Sequence, residues 1–419
     1  MTGLQYSTIF ICFLMNLLDG MDVMVISYTA PTITKAWSIS PQALGIVFSS
    51  GLLGMTCGAL FMAPFADKIG RKSMMLLSSM VMAICIYLTS FANSIEALLL
   101  FRFISGLGIG SMLASTAALT AEYTPNKTKD LWVSSVISGY PVGAVLSGFV
   151  AAKVIPTSGW QAMFQVAGFA TFFALPLIYF FMSESLDFYL TNQPTQALQK
   201  ANVILNKMGL DTINSLPNIS TQKAIIPIKS LLSKEYKIHT LQLWLALFMA
   251  FATLYFLTSW IPKLAANTGL STELAIYAGT VFNIGAWFGI VTQGYFSSKF
   301  GLKKTIAIFL IFTAVLMLSF GLFISSNLLL LIFGLLGFGI QGGFVGLYVV
   351  AARMYPTQFR TTGVGYAIGS GRLGGIIEPI LGGVLIGMGF SMSANFIIYA
   401  VPTLIAGITT FYLSSKEIS

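Results

Sequence analysis

Long apolar runs alternate with short polar breaks along this chain. A helix rising 1.5 Å per residue crosses a bilayer core in about 20 residues. Runs of that length fall near 7–29, 42–65, 73–92, 96–121, 131–153 and 161–182. They resume near 240–262, 273–296, 304–324, 327–351, 361–388 and 392–414. The pattern predicts an all-α membrane protein with twelve spanning helices, six on each side of a polar segment. The expected organisation is an N-terminal six-helix bundle at 1–183, a linker at 184–238 that is partly helical from Gln196 to Met208, and a second bundle at 239–419.

The two halves share a sequence. Asp67-Lys68-Ile69-Gly70-Arg71-Lys72 returns as Ser298-Lys299-Phe300-Gly301-Leu302-Lys303, 231 residues on. Gly106-Leu107-Gly108 returns as Gly337-Phe338-Gly339, and Pro125 as Pro356, at the same offset. One spacing for three matches means two copies of one unit. In so apolar a chain, duplicated halves point to a membrane transporter built around a central site.

Composition supports a lipid-solvated chain: 56% of residues are apolar and 8% charged, with a mean hydropathy of +0.85. The net charge of +9 does not signal nucleic acid, because the bases sit in short loops between apolar runs. Of the 22 Lys and Arg, seventeen fall on one set of alternating loops, among them Lys68, Lys127, six lysines between 200 and 237, Arg353, Arg360 and Lys416. Three (Lys35, Lys153 and Lys263) fall on the other set. The positive-inside rule then makes the first set, the linker and both termini cytoplasmic, as expected for a multi-pass protein of the cell (inner) membrane. The first apolar run has no basic residue ahead of it and carries two Asp, so no cleavable signal is expected. Cys12, Cys57 and Cys85 lack metal or redox spacing and read as core residues. His239 sits at a membrane edge. No His/Cys cluster, nucleophile motif or phosphate-cradling loop appears, so neither an enzyme, a metal site, a cofactor nor direct ATP drive is expected.

Charges in hydrocarbon need a reason. They are Asp19 and Asp22 in span 1, Arg102 in span 4, and Arg372 and Glu378 in span 11. Asp19 and Asp22, three apart, share a helix face. Asp22 lies roughly 12 Å and Arg102 roughly 9 Å below the same membrane edge at 1.5 Å per residue, so the two are placed to pair. Such a pair suits proton coupling, because an Asp released from its Arg takes up a proton; the alternative is a permanent lock between two helices. Asp19 is either a second carboxylate that raises the proton affinity of Asp22 or a hydrogen-bond partner of backbone near Gly20. Arg372, flanked by glycines, is a natural anchor for a substrate carboxylate. Glu378 is six residues further, a rotation of about 600° that turns it to another face. It is either a second proton site or a partner for another helix. Of the cavity candidates Tyr28, Tyr140, Tyr255, Trp260, Asn283, Trp287, Gln341 and Tyr348, each is by default a packing residue, and Asn283 and Gln341 stand out because buried amides need partners.

The 67–72 segment resembles the loop signature between helices 2 and 3 of the major facilitator superfamily. Arg102 with Gly106-Leu107-Gly108-Ile109-Gly110 and Glu122-Tyr123-Thr124-Pro125 resembles its helix 4 pattern. Ser183-Glu184-Ser185-Leu186-Asp187-Phe188 resembles the motif after helix 6 in its sugar-porter-like branch. Asp19-Gly20-Met21-Asp22, Tyr255-Phe256-Leu257-Thr258-Ser259-Trp260-Ile261-Pro262, Phe282-Asn283-Ile284-Gly285 and Gly371-Arg372-Leu373-Gly374-Gly375 are similar to the aromatic acid:proton symporters. The resemblance implies two six-helix bundles, alternating access around a midplane site, and import of a small aromatic carboxylate with protons by a monomer. It assigns proton coupling to Asp22 and Asp19, with Arg102 as the partner of Asp22; Glu378 is a proton-coupling candidate from its place within a span alone. The residues themselves make Arg372, Tyr140, Asn283, Gln341, Trp260 and Tyr348 the candidates for substrate contact, and the resemblance implies a cytoplasmic gate of ion pairs among Asp67, Arg71, Glu122 and Glu184.

Departures from the family pattern are Ala63 for glycine, Ser298 for an acid, Arg353 for the acid before Tyr355-Pro356-Thr357, Asp187 for a base, and Glu378 for glycine. The extra carboxylate leaves open a non-aromatic, polyfunctional acid as substrate. Proton-driven efflux is the other alternative, although Gly139-Tyr140-Pro141-Val142-Gly143 matches the antiporter motif only in part. A transport-dead sensor is disfavoured, since twelve helices and short loops use up the chain.

Overall fold

The computed structural model describes residues 1–125, 128–217, 231–233, 236–323, 328–355 and 360–413. Lys127, Pro356, Thr357, Lys416 and three of the linker lysines (Lys223, Lys229 and Lys234) lie outside the described residues. The described fold is all helix. The long elements are α1 (Gly3–Trp37), α2 (Pro41–Cys57), α3 (Arg71–Thr89), α4 (Ile95–Tyr123), α5 (Gly139–Phe181), α6 (Lys237–Asn267), α7 (Thr272–Phe300), α8 (Leu302–Ser319), α9 (Leu329–Met354), α10 (Arg360–Gly387) and α11 (Met392–Phe411). Helix α2 runs on through a wide π turn at Gly58–Met62.

Among the described residues, ten segments are long and apolar enough to span a membrane. One of them, Leu131–Phe181, holds two predicted spans, and α10 is the 28-residue helix that carries Arg372 and Glu378. The break expected between spans five and six narrows to a single residue. Gly159, at φ 80° and ψ 172°, departs from helix geometry, while helix continues on both sides of it. Positive φ of this kind suits glycine because no Cβ opposes it.

The chain forms two compact units over its described residues. One gathers Met1–Val23, Ser50–Ala144 and Gln161–Lys223; the other gathers Met24–Ser49, Val145–Trp160 and Ala224–Ser419. In the first, a methyl added to Gly106 of α4 would strike the Gly51 carbonyl of α2. In the second, a methyl on Gly337 of α9 would strike the Phe282 carbonyl of α7. Gly337 and Phe282 each lie 231 residues beyond Gly106 and Gly51. The sequence repeat is thus also a repeat of one helix contact, where small residues let backbones approach within lipid. The two copies of the turn after α2 and α7 match as well: Gly70 sits at φ 99°, ψ 148° and Gly301 at φ 91°, ψ 143°.

Candidate functional site

Within the first unit, α1 and α4 bring Asp22 and Arg102 together. Arg102 Nη1 donates to Asp22 Oδ1 at 2.6 Å, and Nη2 donates to the Asp22 carbonyl at 3.3 Å. Asp22 is 0% and Arg102 3% exposed. The pair is one-sided, since Asp22 Oδ2 and Arg102 Nε are buried without a hydrogen bond. Asp19 lies on the same face of α1 and is also buried. Gly20 between them is required by packing: a Cβ there would strike the carbonyl of Tyr140 on α5. Tyr140 itself is partly exposed in this unit.

The second unit holds the other cation. Arg372 of α10 is partly exposed, and no ion pair reaches it among the described residues. Its charge bears on the hydroxyl of Tyr348 in α9, which also feels Tyr255 of α6. These tyrosines belong to an aromatic wall. Phe251 stacks on Tyr255 with ring centroids 6.0 Å apart and meets Phe344 edge-on at 4.7 Å; Phe344 meets Tyr348 at 5.2 Å. Glycines beside Arg372 admit the wall, because a methyl on Gly371 would strike the Phe251 ring and one on Gly375 the Tyr255 ring. Gln341 is buried on α9. It lies three residues before Phe344 and seven before Tyr348, spacings that place all three on one face. Phe251 and Phe344 were not singled out from sequence, where phenylalanine is too common to be informative.

Trp260 and Asn283 sit elsewhere in the same unit, in a layer that also includes the ends of α1 and α2 nearest the turn between them. Trp260 is fully buried, edge-on to Phe48 of α2 at 5.1 Å. Asn283 donates to its own helix at Gly279 O, 2.9 Å away, and faces Met24 Sδ at 3.7 Å. Ser27 of α1 donates to the carbonyls of Thr258 and Ser259 at 2.8 and 2.9 Å. Ser49 of α2 donates to Ile376 O at 2.6 Å. Glu378 is 1% exposed and neither carboxylate oxygen has a hydrogen bond of good geometry.

The charged cluster expected at the other end of the helices differs in membership. Arg71 pairs with Glu122 and, at 3.3 Å, with Asp187. Ser185 Oγ donates to Glu122 Oε2 at 2.7 Å. Glu184 binds backbone rather than a base: Lys72 N and Ser185 N donate to its Oε1 at 2.9 and 2.8 Å. Asp67 makes no ion pair among the described residues; its carbonyl accepts from Asn192. Of the four expected gate residues, Arg71 and Glu122 pair here, Asp67 and Glu184 join no ion pair among the described residues, and Asp187 stands beside Arg71. The reason is the Gly70 turn, which lays the backbone N–H of Lys72 directly on Glu184. Burial, and then the charge of Glu184, pushes the nearby Tyr189 hydroxyl above its ordinary pKa.

Comparison with known proteins bears on all of this. The sequence pattern of the Major Facilitator Superfamily matches residues 12–293 and 243–418. The chain is 32% identical over 406 residues to a 4-hydroxybenzoate transporter of Pseudomonas aeruginosa, covering 96% of this chain and 91% of that one. It is 30% identical to a gallate transporter of Pseudomonas putida, covering 96% and 90%. Among solved structures, a D-xylose-proton symporter superposes with a TM-score of 0.78 at 18% identity, covering 98% of each chain. That last likeness concerns the fold.

Proposed function

The chain belongs to the Major Facilitator Superfamily and is a multi-pass membrane transporter, and on that premise we propose that it imports a small aromatic carboxylate together with protons. The observation that carries the substrate class is Arg372. A partly exposed guanidinium with no ion pair among the described residues, set beside Tyr348, Tyr255 and Phe251, offers the two things such a ligand needs. The guanidinium takes a carboxylate through two parallel N–H donors. The aromatic wall takes a ring in edge-on or offset contact. Relatives named for 4-hydroxybenzoate and gallate support the same class.

Asp22 is the proton carrier in this reading, and Arg102 its counter-charge. A monodentate pair with an unused oxygen is poised to separate when Asp22 takes a proton, whereas a bidentate pair resists. Asp19 supplies a second carboxyl on the same face. Both termini are cytoplasmic, the protein works as a monomer in the inner membrane, and the Arg71 cluster braces the cytoplasmic end of the first unit.

Uptake of labelled 4-hydroxybenzoate into proteoliposomes under an inward proton gradient tests the proposal. Gradient-driven accumulation that Asp22→Asn abolishes and that Arg372→Ala weakens through a raised KM is the expected result. Absence of uptake for any aromatic acid by folded protein would overturn the substrate class.

A further inference from the structure

Glu378 lies apart from the two sites above. It occupies α10, one residue before Pro379, among Trp260 and Phe256 of α6 and Tyr399 of α11. A Cβ built on Gly382, one turn further along α10, would lie 2.9 Å from Glu378 Oε1, 2.9 Å from Trp260 Nε1 and 3.2 Å from the Phe256 ring. The missing side chain of Gly382 therefore makes the room that the carboxyl and the indole share. Trp260 Nε1, like both oxygens of Glu378, is buried without a hydrogen bond. The Tyr399 ring stacks on Phe256 with centroids 4.0 Å apart. Its hydroxyl lies beside the carboxyl and is the titratable group that acts on it, outside good hydrogen-bond geometry. Among the described residues no ion pair includes Glu378. The ion pairs among the described residues are those of Arg71 and Arg102, and Lys263 of α6 joins none.

The same stretch of α10 is where α2 rests. A methyl on Gly45 of α2 would strike the Pro379 carbonyl, and one on Gly383 the Pro41 carbonyl. Ser49 holds Ile376 O, and Phe48 closes over Trp260. The carboxyl is thus sealed by the very contacts that join α2 to α6 and α10.

We propose that Glu378 is a proton-binding site that controls this layer: it holds a proton while the layer is packed, and loss of the proton to water at the α1–α2 turn unpacks α2 from α6 and α10. An ionised carboxylate without a counter-charge is not tolerated in an apolar interior. Proton release therefore has to bring water in, and water reaches Glu378 by displacing Phe48 and the Gly45 contact. The proposal deepens the proton-coupled reading and rests on it only for its meaning in transport.

The test uses no substrate, so its outcome is independent of uptake. Leu44 of α2 is 0% exposed. Its cysteine variant, embedded in lipid nanodiscs, is labelled with a water-soluble maleimide between about pH 5 and about pH 9, a range that brackets protein carboxyls. Reaction of the three native cysteines in the parent is subtracted. Thiolate reactivity itself rises with pH, so each rate is divided by that of Leu44→Cys in the Glu378→Gln background. The ratio is expected to rise roughly tenfold across the range, as the open population grows with the ionised fraction. Glu378→Asp, which keeps a titratable carboxyl, is expected to restore the rise. A ratio that stays flat, or a rise that the Asp variant fails to restore, overturns the proposal. If Glu378→Gln does not yield monodisperse protein, the exposed reporter Ala36→Cys replaces it as the denominator, with the same two outcomes.

Discussion

The hydroxyl of Ser27 donates to the carbonyl oxygen of Thr258 at 2.8 Å, and that oxygen is the one Pro262 leaves without a helical partner. A proline lacks the N–H that would bond the carbonyl four residues back. The serine of α1 supplies the missing donor from another helix. Such replacement is how proline is accommodated in helices surrounded by lipid.

Removing the donor isolates a buried acceptor, which costs about 1–3 kcal/mol. Ser27→Ala is expected to lower the apparent melting temperature of the purified protein by roughly 2 °C or more. Pro262→Ala restores the N–H, so Ser27→Ala should cost clearly less in that background. Equal losses in both backgrounds, read by thermal unfolding in detergent, would show that the hydroxyl does not serve the proline.

Asp22→Asn is expected to separate two activities. Accumulation driven by the proton gradient should fall to background, while exchange of labelled for unlabelled substrate at equal pH should persist, since the exchange needs no net proton movement. Arg102→Ala should instead lose folded protein. It leaves Asp22 buried with no donor, at a cost of about 3–5 kcal/mol, whereas in Asp22→Asn the amide oxygen still accepts from Arg102. Counterflow assays beside size-exclusion profiles distinguish the two.

At Arg372 the expected effect is on affinity. A charge-assisted hydrogen bond contributes about 1.5–3 kcal/mol, so Arg372→Ala should raise KM roughly 10- to 150-fold. Arg372→Lys keeps the charge but loses the planar fork and should fall between. Concentration dependence of initial uptake rates checks both. An unchanged KM in Arg372→Ala would place the carboxylate elsewhere.

Gly382 and Gly365 form a controlled comparison within α10. A methyl on Gly382 presses on Glu378 and Trp260, whereas Gly365 has nothing within 4 Å. Overpacking costs about 1–3 kcal/mol, so Gly382→Ala should lower thermal stability and Gly365→Ala should not.

Gly70 and Gly301 allow a similar comparison across the repeat. Both have φ near 90°, so alanine meets the same backbone strain at each. Only at Gly70 would it also strike the Glu184 carboxylate; Gly301 has open space. Gly70→Ala should therefore destabilise more than Gly301→Ala, with the difference removed in a Glu184→Ala background.

Much of this was legible in the chain. Apolar runs mark helices in lipid because backbone groups there must be satisfied internally, and the depth of Asp22 and Arg102 along their spans placed them together. Arg372 was legible as a cation with no acid on its own face. Its wall was legible only in part, as Tyr255 and Tyr348, because Phe251 and Phe344 look like any packing aromatic. The roles of Ser27 and Ser49 were hidden. A hydroxyl in a helix by default bonds its own backbone, as Thr29 does to Val25 O at 2.8 Å, and nothing local says which one reaches across. Asp187 was hidden for another reason: it stands where a base is usual, and only the fold shows that Arg71 lies within its reach.

The single-residue break at Gly159 has a practical consequence for anyone mapping sidedness. With helix running up to it and away from it, the connection between the fifth and sixth spans offers no slack in which to insert an epitope or a protease site. A tag there would have to unwind helix to be seen. The segment at 211–217, described without helix, is the place to put one.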